Sequence, residues 1–282
     1  MAHVLACIDG SIYSHSVTEH AAWAALRLEA TVEVMQVMGR RESASQDRSG
    51  RIVAGARRQL LEQLATLDAE RAKITQAKAR MDLEEARERL AAAGIPGATL
   101  SLRNGDLMEN LTEREAGAEL VVIGKRGAAA DFATLHLGSN LERILRAATR
   151  PVLIAARAFK PIERALIAFD GRPQAQKLVD YASRSPLFRG LDVTLMTVGE
   201  PGAELRRAIE GAIAQLGAGG LSARSLIEPG RADAAIPAAV ERDRIDLVAM
   251  GAYGHSRLRT LVIGSTTAEV IRGCKTPLLV FH

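Results

Sequence analysis

Aromatic side chains, cysteine and long apolar runs are all scarce in this sequence. Of its 282 residues 3% are aromatic, with a single tryptophan, and 2 are cysteine. Cys7 and Cys274 stand far apart, one in a strand-like stretch and one near the end of a helical stretch. Neither a disulfide framework nor a metal-binding spacing follows from them, and a reducing compartment fits. No apolar run is long enough to span a bilayer, and Asp9 interrupts the apolar start, so neither a membrane segment nor a signal peptide is expected. The net charge is +4 and the pI ≈ 9.3, but basic residues are interleaved with acids and form no tract. With aromatics also few, a nucleic-acid partner is not expected. Missing as well are a Gly-x4-Gly-Lys-(Ser/Thr) phosphate loop, a Ser/His/Asp arrangement and a metal cluster. The expected catalytic residues and metal ligands are therefore none.

What is present is a repeat. Glu119-Leu-Val-Val-Ile-Gly124 parallels Asp246-Leu-Val-Ala-Met-Gly251, and Gly138-Ser139 parallels Gly264-Ser265. Val4-Leu-Ala-Cys-Ile-Asp9-Gly10 parallels Ala165-Leu-Ile-Ala-Phe-Asp170-Gly171, Val37 falls on Val198, and Gly105 on Gly230. The matches keep one order, as a duplicated domain requires. Domains over 1–158 and 162–282 are expected. Hydrophobic residues make up 48% of the chain, enough for two ordinary cores. In each half apolar runs alternate with helix-period stretches, which implies right-handed crossovers and a doubly wound parallel sheet.

The halves differ in length. Asp9 to Gly124 is 115 positions and Asp170 to Gly251 is 81, so the first half carries 34 extra, placed between Val37 and Gly105. Residues 51–93 are rich in Ala, Leu, Glu, Lys and Arg, with a seven-residue spacing of Val53, Leu60, Leu67, Ile74 and Met81. The insertion, about 39–93, is predicted to be helical. As one helix, residues 51–93 would span roughly 65 Å, so the stretch either projects or breaks into a pair. It serves as an arm for dimerisation or for a partner, or as an enlarged cover helix.

The stretch from Met250 to Thr267 reads as a loop between a buried strand and a helix, with glycines at 251, 254 and 264 and hydroxyls at 265, 266 and 267. Glycine permits close backbone approach, and a helix N-terminus presents N–H groups to an anion such as phosphate. In such sheets a ligand sits outside the carboxyl ends of the strands, where the strand order reverses. That places Asp170, at the end of one strand, beside Gly251, at the end of another.

These residues resemble the universal stress protein family, which carries Gly-x2-Gly-x9-Gly-(Ser/Thr) after its fourth strand and an Asp ending its first. The second half fits in full through Asp170, Gly251, Gly254, Gly264 and Ser265; in the first half ten residues, not nine, separate Gly127 from Gly138. The resemblance implies two tandem α/β domains, each a five-stranded parallel sheet in the order 3-2-1-4-5 flanked by helices. It also implies an adenine nucleotide, ATP with or without magnesium, in the second half. Asp170 would bond in the adenine and ribose region, Val198 would offer its backbone to the adenine, and Ala168 and Phe169 would line the floor. Met250 and Gly251 would lie under the ribose, and Gly254, Gly264, Ser265, Thr266 and Thr267 would hold the phosphates. His255, Arg257 and Arg259 would add positive charge or face solvent.

Asp9, Val37, Gly124, Gly127, Gly138 and Ser139 hold the corresponding places in the first half, but Asn140 and Leu141 replace two hydroxyls, so that site is expected to be degenerate or changed in its ligand. Single-domain relatives pair through their fifth strands, so the two halves are expected to pair with each other here, and dimers of the whole chain to use another surface. The function implied is a cytoplasmic, ATP-binding stress-response sensor or regulator. The alternatives are a scaffold or small-molecule carrier without nucleotide, and a weak ATPase. Slow hydrolysis or self-phosphorylation on Ser265, Thr266 or Thr267 is the most chemistry expected.

Overall fold

The structure, a computed structural model, describes residues 2–39, 54–127, 138–252 and 264–282. The first half runs β1 (His3–Ile8), α1 (Ser14–Leu28), β2 (Thr31–Met38), α2 (Ala54–Ala92), β3 (Thr99–Asn104), α3 (Leu107–Glu115), β4 (Leu120–Gly124), α4 (Ser139–Ala147) and β5 (Val152–Ala155). The second runs β6 (Arg164–Ala168), α5 (Pro173–Arg184), a 3-10 turn at Pro186–Phe188, β7 (Asp192–Val198), α6 (Ala203–Ala218), β8 (Ser222–Glu228), α7 (Ala232–Arg242), β9 (Leu247–Gly251), α8 (Ser265–Gly273) and β10 (Leu278–Phe281).

All ten strands belong to one sheet, in the order β3-β2-β1-β4-β5-β10-β9-β6-β7-β8. Each half is thus a parallel doubly wound sheet of order 3-2-1-4-5, as the resemblance implies. The halves meet by antiparallel pairing of β5 with β10, Leu278 opposite Ile154, Leu279 opposite Leu153 and Val280 opposite Val152. Side chains alternate across the strands, so each face of the sheet holds one core drawn from both halves. Val4, Leu120, Leu153, Ile167 and Leu279 lie in one core, and Leu5, Val121, Ile154, Leu166 and Leu278 in the other. Strands buried on both faces explain the near-continuous apolar runs. The lone tryptophan, Trp23, is half-buried against the first core, with the Arg27 guanidinium 5.6 Å from its ring centre. Arg27 Nε also donates to the Leu187 carbonyl at 2.9 Å, tying α1 to the second half.

Among the described residues of the insertion, Ala54–Ala92 form one unbroken helix. At 39 residues α2 is 23 longer than its counterpart α6, at 16, and the segment before it is 15 residues against 4. These two differences account for the whole excess of the first half. The lower part packs on the sheet through Ala79, Leu83, Ala86 and Leu90, all buried. Every residue from 61 to 75 is exposed. The helix is a cover at its base and a projection above it, beyond the carboxyl ends of the strands. Val53, which opens the seven-residue spacing, lies outside the described residues.

Candidate functional site

Two crevices open at the carboxyl ends of the strands, one where β1 meets β4 and one where β6 meets β9. The second encloses ≈ 490 Å³, within the range of small-ligand sites. Ala168, Phe169, Asp170, Val198, Met250, Gly251, Thr266 and Thr267 all line it, so the fold gathers expected residues from three strands and one helix. Phe169 contributes mainly backbone: its side chain is buried in the core and its carbonyl accepts from Thr197 Oγ1 at 2.9 Å. Asp170 Oδ1 accepts from the Arg172 N–H at 3.0 Å, an Asx turn that holds the carboxylate at the crevice wall. Its Oδ2 stands 3.6 Å from Arg172 Nε, and the side chain is half exposed.

Gly264 and Ser265 open α8 and are absent from the described lining. No side chain among the described residues caps the N-terminus of α8. Thr267 is buried, and its hydroxyl donates to the Gly251 carbonyl at 3.3 Å, which ties the helix start to the end of β9. Of Thr267 the backbone N–H is therefore what remains for a ligand, whereas Thr266 brings a hydroxyl to the crevice. An uncapped helix start, a hydroxyl and a cation nearby form a donor set suited to phosphate. The loop call on Gly254, with His255, Arg257 and Arg259, lies outside the described residues.

Sequence reasoning passed over Arg172, Leu205, Arg231 and Asp233, which also line the second crevice. Arg231 follows Gly230, the β8-to-α7 turn with φ 96°, and pairs with Asp233 at 2.9 Å. That pairing, with Glu269 nearby, raises its pKa further. The repeat contained the signal for it, since Gly230 falls on Gly105 and the next residue in each half enters a crevice.

The first crevice is larger, ≈ 600 Å³, and its lining includes Asp9, Val37, Gly124, Gly127, Gly138, Asn140 and Leu141. Asp9 Oδ1 accepts from the Ser11 N–H at 3.0 Å, and a Cβ on Gly127 would stand 2.6 Å from Asp9 Oδ2. The glycine loop thus rests on the strand-one aspartate. Asp106 caps α3, accepting from the Met108 N–H at 2.7 Å, and pairs with Arg143 of α4 at 2.7 Å. Arg143 and the Met108 N–H hold its carboxyl below the usual carboxylate range. Leu141 is buried at the start of α4, where α8 has Thr267. Ser14 Oγ is buried with no partner among the described residues, in a place that Ala175 takes in the second crevice. His136 lies outside the described residues, as does the middle of this loop. Among the described residues no group of His, Cys, Asp and Glu is placed to hold a metal.

One contact joins the first glycine loop to the other half. Lys125 follows Gly124, and its Nζ donates to the Cys274 carbonyl at 2.6 Å and to the Arg272 carbonyl at 3.4 Å. It caps the C-terminal end of α8, where a cation suits the helix dipole. Burial pushes its pKa down to about 8. The equivalent residue of the second half is Ala252, which has no such side chain.

Fold and crevices together define the class: a tandem α/β protein of two doubly wound units joined edge to edge, each with a ligand crevice at its strand-order reversal. A model of the universal stress protein family matches residues 1–156 and 200–282. The chain is also 35% identical, over 100% of both sequences, to a universal stress protein of Synechocystis sp.. The chain belongs to the universal stress protein family. Among solved structures it resembles a universal stress protein from Archaeoglobus fulgidus, with TM-score 0.74, 23% identity and 99% and 97% of the two chains covered. A putative universal stress protein from Pseudomonas aeruginosa aligns with TM-score 0.61 and 18% identity, over 99% and 92%. These likenesses establish the shared fold. No helix among the described residues is long and apolar enough to cross a membrane.

Proposed function

We infer that the protein is an adenine-nucleotide-binding stress protein that holds ATP in the crevice of its second half, within units running from 1–158 and 162–282. The observation that carries this reading is the meeting of Asp170, Val198, Gly251 and Thr266 around one cavity with the uncapped start of α8 at its edge. The base and ribose would lie over Ala168, Phe169, Val198 and Met250, with Asp170 bonding the ribose region. The phosphates would meet Gly254, Gly264, Ser265, Thr266 and Thr267. With no ligand cluster for a metal among the described residues, a magnesium ion would be held by the phosphates themselves. The protein would act in the cytoplasm as a sensor or regulator whose surface changes with nucleotide, as a homodimer, with no nucleic-acid or membrane partner.

The test is the nucleotide content of purified protein by acid release and chromatography, joined to calorimetric titration of ATP into wild type and Gly264→Val. About one ATP per chain, lost in the variant, supports a single working site. No nucleotide and no heat of binding would sink the reading and leave the scaffold or carrier alternative. Turnover that disappears in Asp170→Ala and persists in Asp9→Ala would establish a weak ATPase.

A further inference from the structure

The helix that opens on the second crevice is held at its other end by a residue of the first half. Lys125 directly follows β4, and its N–H donates to the Ala155 carbonyl at 3.3 Å, so the sheet fixes its backbone. Its side chain crosses the seam, and Nζ donates to the Cys274 carbonyl at 2.6 Å and the Arg272 carbonyl at 3.4 Å, at the last turn of α8. The cations at that end of α8 are engaged elsewhere: Arg272 pairs with Glu269 at 2.7 Å and Lys275 with Glu241 at 3.4 Å. With nine residues α8 is about 13 Å long, and so short a helix orders as one unit, with help from its surroundings. What holds its last turn therefore bears on its first.

Two groups can then act on α8 from opposite ends. A phosphate at the helix start accepts from free N–H groups and meets the positive end of the dipole. An ammonium at the last turn donates to free carbonyls and meets the negative end. Each favours the ordered helix, so whichever is in place lowers the ordering cost that the other must meet. The bond from the Thr267 hydroxyl to the Gly251 carbonyl carries that order to the crevice wall. The halves differ in the matching sense. The helix held across the seam is the one that brings Thr266 to its crevice, whereas α4, to which Ala252 brings no cation, has the buried Leu141 in its first turn. We propose that Lys125 is a positioning residue for the second crevice: through this side chain the first half holds α8 in its phosphate-binding form and sets the affinity for ATP. This rests on the ATP reading above.

The test is calorimetric titration of ATP into the full chain as wild type, Lys125→Met, Lys125→Arg and Arg27→Met. Lys125 does not line the second crevice, and methionine keeps most of its length without the charge. Arg27→Met loosens a different tie between the halves, the bond to the Leu187 carbonyl, and controls for lost stability. The dissociation constant should rise at least about 5-fold in Lys125→Met, return toward the wild-type value in Lys125→Arg and stay unchanged in Arg27→Met. Coupling is reciprocal, so ATP should slow hydrogen exchange of the Cys274 N–H, at the far end of α8, in wild type and not in Lys125→Met. The wild-type exchange needs no variant to fold. Equal affinity in wild type and Lys125→Met overturns the proposal. So does a loss of the same size in Lys125→Arg or in Arg27→Met, and so does wild-type exchange at Cys274 that is indifferent to ATP. A wild type that binds no ATP sinks the ATP reading itself, and this proposal with it.

Discussion

In the first crevice Asp106 follows the glycine after β3, and Arg143 reaches it from the helix opposite. In the second the signs are exchanged: Arg231 stands after the glycine, and Glu269, which supports its charge, is on the helix. The sheet geometry beneath is the same, down to the aspartate closing each strand-one turn. A duplicated fold thus repeats the position of a site, while the charges at its rim decide what enters. Asp106 spends its carboxylate on capping α3 and on Arg143, and α4 begins with Asn140 and Leu141. In the second crevice Arg231, paired with Asp233, and the Thr266 hydroxyl stand beside a helix start without a side-chain cap. On the same backbone the two crevices thus carry rims of different charge.

The sharpest break of this comparison is paired glycine replacement. Gly264→Val should abolish ATP binding, and Gly138→Val should leave it unchanged, by calorimetry. Equal losses from both would mean two equivalent sites. Next in size is a difference in acid stability. The first half buries His20 where the second has the partly buried Tyr181, and burial pushes the His20 pKa down from 6.5 to about 4. The unfolded chain takes up this proton from about pH 6.5 downward and the folded one from about pH 4. Stability is therefore complete above pH 6.5 and falls as the pH drops toward 4, by about 3 kcal/mol. Hydrogen exchange at pH 4.5 should show α1 losing protection before α5, and His20→Phe should lessen the pH dependence, the remainder lying with His282 beside β10, whose pKa burial also lowers to about 4.

Smaller effects follow at the aspartates and the lysine. Asp170→Ala should weaken ATP binding roughly 10- to 100-fold, the worth of one or two hydrogen bonds from a charged group, and Asp9→Ala should do nothing. Lys125→Met should cost about 1–2 kcal/mol by loss of charge-assisted bonds to the α8 carbonyls, read as faster exchange at the C-terminal turn of α8. The equivalent change at Ala252 has nothing to remove.

Much of the fold is legible in the chain because strands buried on both faces leave unbroken apolar runs, and because the repeat lets each half check the other. The edges of β7, α5, α8 and β10 follow directly from such runs and from the residues that interrupt them. The seam between the halves is legible too, since Val152 to Ala155 and Leu278 to Phe281 are apolar edge strands that need a neighbour. The fate of the insertion is less so. Seven-residue spacing and helix propensity describe α2 as a helix, but where packing stops depends on which face meets the sheet, and Ala79 looks no different in sequence from Ala72. The crevice walls are legible where glycine or a strand-ending aspartate marks them. Arg231 and Arg143 are ordinary arginines in the chain, and gain meaning once α7 and α4 bring them to a rim.

The pairing of β5 with β10 has one more consequence. Two separate chains joined through such an edge must each present a self-complementary surface, so any residue added to one side of the seam is added to both, and dilution can part them. Here the partners are tethered, and each is held at an effective concentration that no dilution alters. The seam is released from twofold symmetry. A lysine can cross it in one direction and an alanine answer in the other, and Lys125 and Ala252 show that freedom in use.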